Sequence, residues 1–362
     1  MRKPTHHRDG GSLPVLRRLG ARFFGKISKV DLIVRLLQPA ESPSFRMSRV
    51  LTAATLVAVA LAGMAGRALP QEPAAGRETV YGRTKRQGGG PATAEEPSVQ
   101  GERIVATALA GLARAESVSA RVRQRVRSGD HVVVGAGRYV QLGTGIDQRF
   151  RYEMSMQSDT ETFEILELCD GIFNWSFKRL GPNPPQLERL DVRRVREKLE
   201  RLNVIEQLGA SPYLGGIQRA LALTRQWFRF ETVDSAAIDD VAVWSVAGRW
   251  HADSLAALLP EQAEVIKASG GLEPASLPDG MPWSVRISIG KRELFPFRIE
   301  WLAIPGPRPV TGTTIEPIAV MELYDVQING PVDASAFVYR PAVEGMIDVT
   351  DGYVEHLGPL RP

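Results

Sequence analysis

Residues 163–192, FEILELCDGIFNWSFKRLGPNPPQLERLDV, have the pattern of a sheet and of little else. Asp170-Gly171 and Gly181-Pro182-Asn183-Pro184-Pro185 are turn sequences, and they divide the stretch into three short strands. Between the turns, Phe173, Trp175 and Phe177 recur at period two. That spacing puts three rings on one face of a strand and Asn174, Ser176 and Lys178 on the other. Three strands with one apolar side need a cover, and the rest of the chain must supply it.

On the N-terminal side, Glu102 to Glu116 reads as a helix, with Ile104, Val105, Ala108, Leu109 and Leu112 at helical spacing. The period then changes to two. Val118, Ala120, Val122, Gln124 and Val126 alternate with Ser119, Arg121, Arg123, Arg125 and Arg127. One strand therefore presents four arginines on one face, either as a solvated outer surface or as a docking stripe for anionic headgroups or an acidic partner. Val132 to Leu142 and Phe150 to Met156 continue as strands, with a turn over Gly143 to Asp147. Gly135-Ala136-Gly137 lies inside the first of these and reads as a bulge or bend. Five or six antiparallel strands thus follow one another as a meander.

From Val195 the helical period returns through Leu199, Leu202 and Ile205, and it is broken by Ser211-Pro212-Tyr213-Leu214-Gly215-Gly216. A second helix spans Ile217 to Trp227. Strands resume at 228–233 and 241–250 around an Asp239-Asp240 turn. A helix kinked at Pro260 covers 253–267, and strands follow at 283–289, 295–304 and 318–328. In the last, Ile318, Val320, Glu322, Tyr324, Val326 and Ile328 are expected to share a face. The fold class expected is α+β: a highly curved antiparallel sheet, or unclosed β-barrel, of about ten strands. Its helices, at 102–116 and 195–228, would cover the mouth and the apolar side.

Residues 1–46 carry ten Lys/Arg against three Asp/Glu, and 47–65 add Arg49 alone, so the chain's net +4, less +7 and +1, leaves −4 for 66–362. The basic character belongs to the leader, and a nucleic-acid partner is not expected for an acidic body. Within 47–65, Arg46 and Arg49 precede an apolar run from Val50 to Leu61, and small residues follow at 60–65. That is the layout of a signal peptide, with Met47 as the true start and 1–46 a non-native or disordered basic leader. Residues 66–100, rich in Pro, Gly, Ala, Gln and Glu, read as a disordered linker, and 101–362 as one folded domain. A periplasmic location follows, or a membrane-anchored one if the signal is not cleaved.

Catalytic and metal-binding patterns are missing. His6, His7, His131, His251 and His356 have no partner at ligand spacing, and the glycine motifs of nucleotide loops are not found. Cys169 is the single cysteine, flanked by Glu167 and Asp170, which disfavour a thiolate; burial is its expected role. No catalytic residue, metal or cofactor is expected, and a binding protein is. A curved sheet with helices on one side can keep an apolar space, and each methylene buried there is worth about 0.8 kcal/mol.

The run Leu168-Cys169-Asp170-Gly171-Ile172-Phe173-Asn174-Trp175 resembles the S-D-G-x-x-x-W hairpin of the LolA/LolB-type periplasmic lipoprotein carriers. Asp333-Ala334-Ser335-Ala336-Phe337-Val338-Tyr339-Arg340-Pro341 with Gly345-Met346-Ile347-Asp348 is similar to that family's closing segment, and 294–300 to its late strand. Two features depart from the family. There is extra chain around 205–216 and 252–282, and the turn at 143–148 lacks the family's Arg-Pro pair. The resemblance implies an unclosed β-barrel with a helical lid and a lipid or lipoprotein acyl chain as ligand, without catalysis. The expected cavity lining is Phe150, Tyr152, Phe173, Trp175, Phe177 and Trp227, in a monomer. The competing expectation is a membrane-anchored envelope sensor or scaffold that uses the same fold to bind an envelope protein partner.

Overall fold

A computed structural model of the chain describes residues 97–128, 131–158, 161–201, 215–278, 280–303, 315–342 and 344–356. The leader, the signal-like run and most of the linker expected from the sequence lie outside these residues, as do 202–214.

Among the described residues, twelve strands form one open sheet in the order β12-β6-β5-β4-β3-β2-β1-β11-β10-β9-β8-β7. The first meander is β1 (Ser117–Ser128), β2 (His131–Leu142), β3 (Arg149–Gln157), β4 (Thr162–Cys169), β5 (Phe173–Leu180) and β6 (Gln186–Asp191). A second runs β7 (Phe228–Ile238), β8 (Val241–Trp250), β9 (Ser284–Gly290), β10 (Pro296–Ala303) and β11 (Glu316–Ile328). The two join where β11 pairs antiparallel with β1. β12 (Ile347–Asp348) pairs parallel with β6, on its free edge. Asp239 and Asp240 both take positive φ, 45° and 66°, which is the hairpin geometry that matches strand twist.

Among the described residues there are six α-helices: α1 (Pro97–Arg114), α2 (Val192–Arg201), α3 (Gly216–Trp227), α4 (Ala252–Leu258), α5 (Ala263–Ser269) and α6 (Thr350–His356). None is long and apolar enough to cross a membrane. α1 starts five residues before the helix expected at Glu102. The single kinked helix expected over 253–267 is two helices separated by a 3₁₀ turn at Pro260–Gln262, because proline removes a helical donor.

The sheet curls around α1 and α3, and we term the side facing them inner. Ile104, Val105, Ala108 and Leu112 of α1 and Ile217 and Leu221 of α3 join one continuous core with inner residues of both meanders. Close approach is bought with glycine. A Cβ at Gly137 would stand 1.9 Å from the Glu153 carbonyl oxygen, so β3 could not lie so near β2 with any other residue there. The β2–β3 register runs unbroken through this point, so Gly135 and Gly137 mark crowding and not a bulge. A true bulge sits in β11 at Asp325, φ 51°. It reverses the alternation: Tyr324 stays with the outer row, whereas Val326 and Ile328 turn to the inner core, so the six residues expected on one face are divided.

The arginines of β1 do lie on the outer face. Three of them meet acids across the strand boundary: Arg121 with Asp325 at 3.4 Å, Arg123 with Glu322 at 3.8 Å and Arg127 with Glu316 at 2.7 Å. The stripe is largely neutralised by β11, which removes most of the field a docking role would need.

Candidate ligand-binding face

The six aromatics expected to line one cavity occupy three places. Phe150 and Tyr152 are buried on the inner face of β3, under the start of α3. Phe173, Trp175 and Phe177 are on the outer face of the sheet. The register shows why. Phe150 pairs with Cys169 and Tyr152 with Glu167; Cys169 then pairs with Asn174, and Glu167 with Ser176. Directly opposed residues share a face, so the inner face of β5 carries Asn174, Ser176 and Lys178. Trp227 is at the far end of α3, about 16 Å along the axis from Gly216. There it stacks on Trp250 with centroids 6.0 Å apart.

The aromatic row is covered by the C-terminal segment, not by the helices. Trp175 meets Phe173 edge-on at 5.6 Å and Tyr339 at 5.8 Å, and its Nε1 donates to Asp170 at 3.3 Å. Phe337, in a 3₁₀ turn over Ala334–Phe337, lies under the Arg149 guanidinium at 5.3 Å, and Arg151 donates to the Ala336 carbonyl. Arg189 covers Phe173 at 4.8 Å and holds Asp348 at 2.5 Å, which ties the end of this strap to β6. Burial pushes the Asp348 carboxyl up, but hydrogen bonds from Thr350 and the Arg189 charge overcome it and hold the group at about 2. Beside the strap, Ala136, Arg138, Glu153, Leu166, Phe177 and Tyr339 line an open trough of about 740 Å³ on the outer face.

The inner face of β2–β6 is polar to a degree the sequence did not suggest. One cross-strand row reads Tyr139, Tyr152, Glu167, Ser176, Glu188. Tyr139 donates to Gln141 Oε1 at 2.8 Å, and Gln141 donates to the Leu112 carbonyl at 2.8 Å. Gln218 of α3 donates to the Leu112 carbonyl at 3.0 Å and to Gln148 at 2.8 Å. These bonds stitch α1 and α3 to the sheet. Glu167 accepts the Gly216 N–H at 2.8 Å, so a carboxylate caps the positive end of α3. The fit is tight: Gly216 has φ +60°, and a Cβ on it would stand 2.6 Å from the Tyr139 ring. Burial and then the Glu167 charge push both the Tyr139 and Tyr152 hydroxyls well above the usual tyrosine range, so both stay protonated.

Within and beside this row the chain leaves polar groups unused. Tyr152 Oη and Ser176 Oγ are buried with no hydrogen-bond partner, and so is the acceptor Glu167 Oε1. Lys178 is 8% exposed, and its nearest carboxylate oxygen, on Glu188, is 4.0 Å away, beyond hydrogen-bond reach. Burial lowers its pKa against the opposing pull of Glu188 and Glu167. The flanking inner residues Met154, Met156, Phe163 and Ile165 are buried and apolar.

Cys169 is buried, and burial followed by the Asp170 charge pushes its thiol up to about 11. His251 stands at the N-cap of α4, on the way out of β8. Among the described residues no group of three or more His, Cys, Asp and Glu side chains converges to hold a metal.

No protein-family model matches the sequence, and no curated protein matches it. Among solved structures the chain is similar to LprF from Mycobacterium bovis, with 11% identity, 66% of this chain and 98% of that one covered, and a TM-score of 0.31. It is similar to lipoprotein LppX from Mycobacterium tuberculosis, with 10% identity, 65% and 98% coverage and a TM-score of 0.26. A LolA superfamily protein from Nitrosomonas europaea gives 14% identity, 66% and 97% coverage and a TM-score of 0.23. At these scores the likenesses carry no weight beyond themselves, and function has to be argued from the chain's own residues.

Proposed function

We propose that the chain is an exported binding protein that holds an amphiphile, such as a lipid or the acyl chain of a lipoprotein, against the inner face of its open sheet. The observation that carries this reading is the pairing of an apolar wall with unsatisfied polar groups. Met154, Met156, Phe163 and Ile165 form the wall, and Tyr152 Oη and Ser176 Oγ beside it are buried without partners. Buried polar groups in folded proteins are nearly always hydrogen-bonded, and leaving one unpaired costs roughly 1–3 kcal/mol. A ligand with both an apolar and a polar end removes that cost and gains about 0.8 kcal/mol per buried methylene. Phe150 and Tyr152 remain in the proposed site. Phe173 and Trp175 belong to the layer at the strap, Phe177 to the open trough beside it, and Trp227 to the opposite end of α3. The signal-like run at 47–65 supports export.

The test is to purify the full chain, extract it with organic solvent and look for lipid by native mass spectrometry before and after extraction. A bound lipid, and uptake of an apolar dye once it is removed, are expected. A chain that carries no lipid and takes up no dye sinks the reading. N-terminal sequencing of the purified protein checks export, with cleavage after residues 60–65 expected.

A further inference from the structure

The inner polar row leaves an ammonium, two hydroxyls and one carboxylate oxygen without a hydrogen bond. Lys178 and Arg219 both reach it, and neither is closely paired: Lys178 Nζ is 4.0 Å from Glu188 Oε2, and Arg219 Nη1 is 4.0 Å from Glu167 Oε1. Ser176 and Tyr152 add two hydroxyls without partners. On the acceptor side, Glu167 Oε2 is taken by the Gly216 N–H and helps neutralise the positive end of α3, while Oε1 is buried without a hydrogen bond and faces Arg219 at 4.0 Å. Glu188 keeps a quarter of its side chain in solvent. Ser176 and Lys178 are successive inner residues of β5, and Tyr152 is one strand beyond Glu167 in the row, so the unused donors face one region.

Holding an ammonium there without a hydrogen bond costs stability, because a buried charge needs close partners to offset its lost hydration. An anionic oxygen would satisfy it. We propose that Lys178, Ser176 and Tyr152 form the headgroup subsite of the amphiphile, taking a carboxylate or phosphate oxygen while the acyl chain lies along the Met154–Ile165 wall. The subsite rests on the proposed function, and it narrows the ligand to an anionic amphiphile.

The experiment measures binding of palmitate, hexadecanol and inorganic phosphate to the delipidated full chain by calorimetry. Palmitate is expected to bind at least about tenfold more tightly than hexadecanol, a difference of about 1.4 kcal/mol. Phosphate alone is expected not to bind. Lys178→Met should erase the preference for palmitate, and Ser176→Ala should weaken palmitate severalfold. The ligand-free Lys178→Met protein should melt no lower than the parent, which a purely structural lysine would not allow. Equal affinity for palmitate and hexadecanol in the parent chain overturns the subsite and leaves the binding function standing. Failure of both to bind overturns the function as well. Phosphate binding that is lost in Lys178→Met overturns the amphiphile assignment, and unchanged palmitate affinity in both variants overturns the role of the row.

Discussion

The two faces of β5 are built for different ends. On the outer face, Phe173, Trp175 and Phe177 are finished by the chain itself: rings meet rings, guanidinium groups lie over them, and the indole N–H finds Asp170. On the inner face, Ser176 and Lys178 sit in the interior without close partners. Satisfied packing contributes stability, and unsatisfied polar groups subtract from it unless something else occupies the space. The contrast places satisfied packing under the strap and unsatisfied polar groups in the inner row, where binding is proposed, one residue apart along the same strand.

The comparison can be broken first at Trp175. Replacing it with alanine should cost about 4 kcal/mol in denaturant unfolding, since a buried ring and its contacts to Phe173 and Tyr339 are lost. A cost below about 1 kcal/mol would mean the strap is not a packed layer. The opposite face should respond with the opposite sign. Lys178→Met should raise the unfolding free energy of the ligand-free chain by about 1 kcal/mol, because an apolar side chain of similar size replaces a poorly paired buried charge. A marked loss instead would place Lys178 among the stabilising groups.

The strap itself should loosen in acid. Asp348 is held at about 2 in the folded chain, below its ordinary 3.8. A carboxyl depressed on folding contributes stability that is present above the ordinary value and is lost as the pH falls toward the folded one. Hydrogen exchange at the amides of Val349 and Thr350 should therefore lose protection between about pH 4 and pH 2, and Asp348→Asn should remove that pH dependence. The smallest effect belongs to the arginine stripe. Arg123 is two-thirds exposed and 3.8 Å from Glu322, so Arg123→Ala should change stability by less than about 0.5 kcal/mol in a thermal melt. A larger change would show that the outer charges of β1 act as a network.

Much of the architecture was legible in the sequence. Turn residues at 170–171, 181–185 and 239–240 fall where the hairpins turn, and the alternation over 117–128 puts arginine outward as expected. The first meander follows in order from those signals. The candidate site was legible only in part. Phe150 and Tyr152 are on the face that faces the helices, but Asn174, Ser176 and Lys178 were assigned only to the face opposite the rings, and their approach to Glu167 was missed. A signal was there to find: Glu167 alternates with Ile165 and Cys169, so one charged residue already interrupted an apolar face of β4. The strap was missed as a cover because Phe337 and Tyr339 follow no helical or strand period long enough to announce a layer.

Period two states that the rings of β5 share a face and that its polar residues share the other. It does not state which face is inside. That sign is decided by the register with β4, where Cys169 opposes Asn174 and Glu167 opposes Ser176, and by which segment closes over each side. Both depend on residues distant in the chain: α3, whose start accepts no side chain at Gly216, and the tail, whose Tyr339 and Phe337 find Trp175 and Arg149. The sequence by itself determined the strands, their turns and their two-sidedness, because those are local properties of backbone and side chain. Only the tertiary structure decided that the aromatic side of 173–180 is covered at Trp175 by the C-terminal strap and the polar side is turned inward, because facing is a property of pairs of strands and their covers.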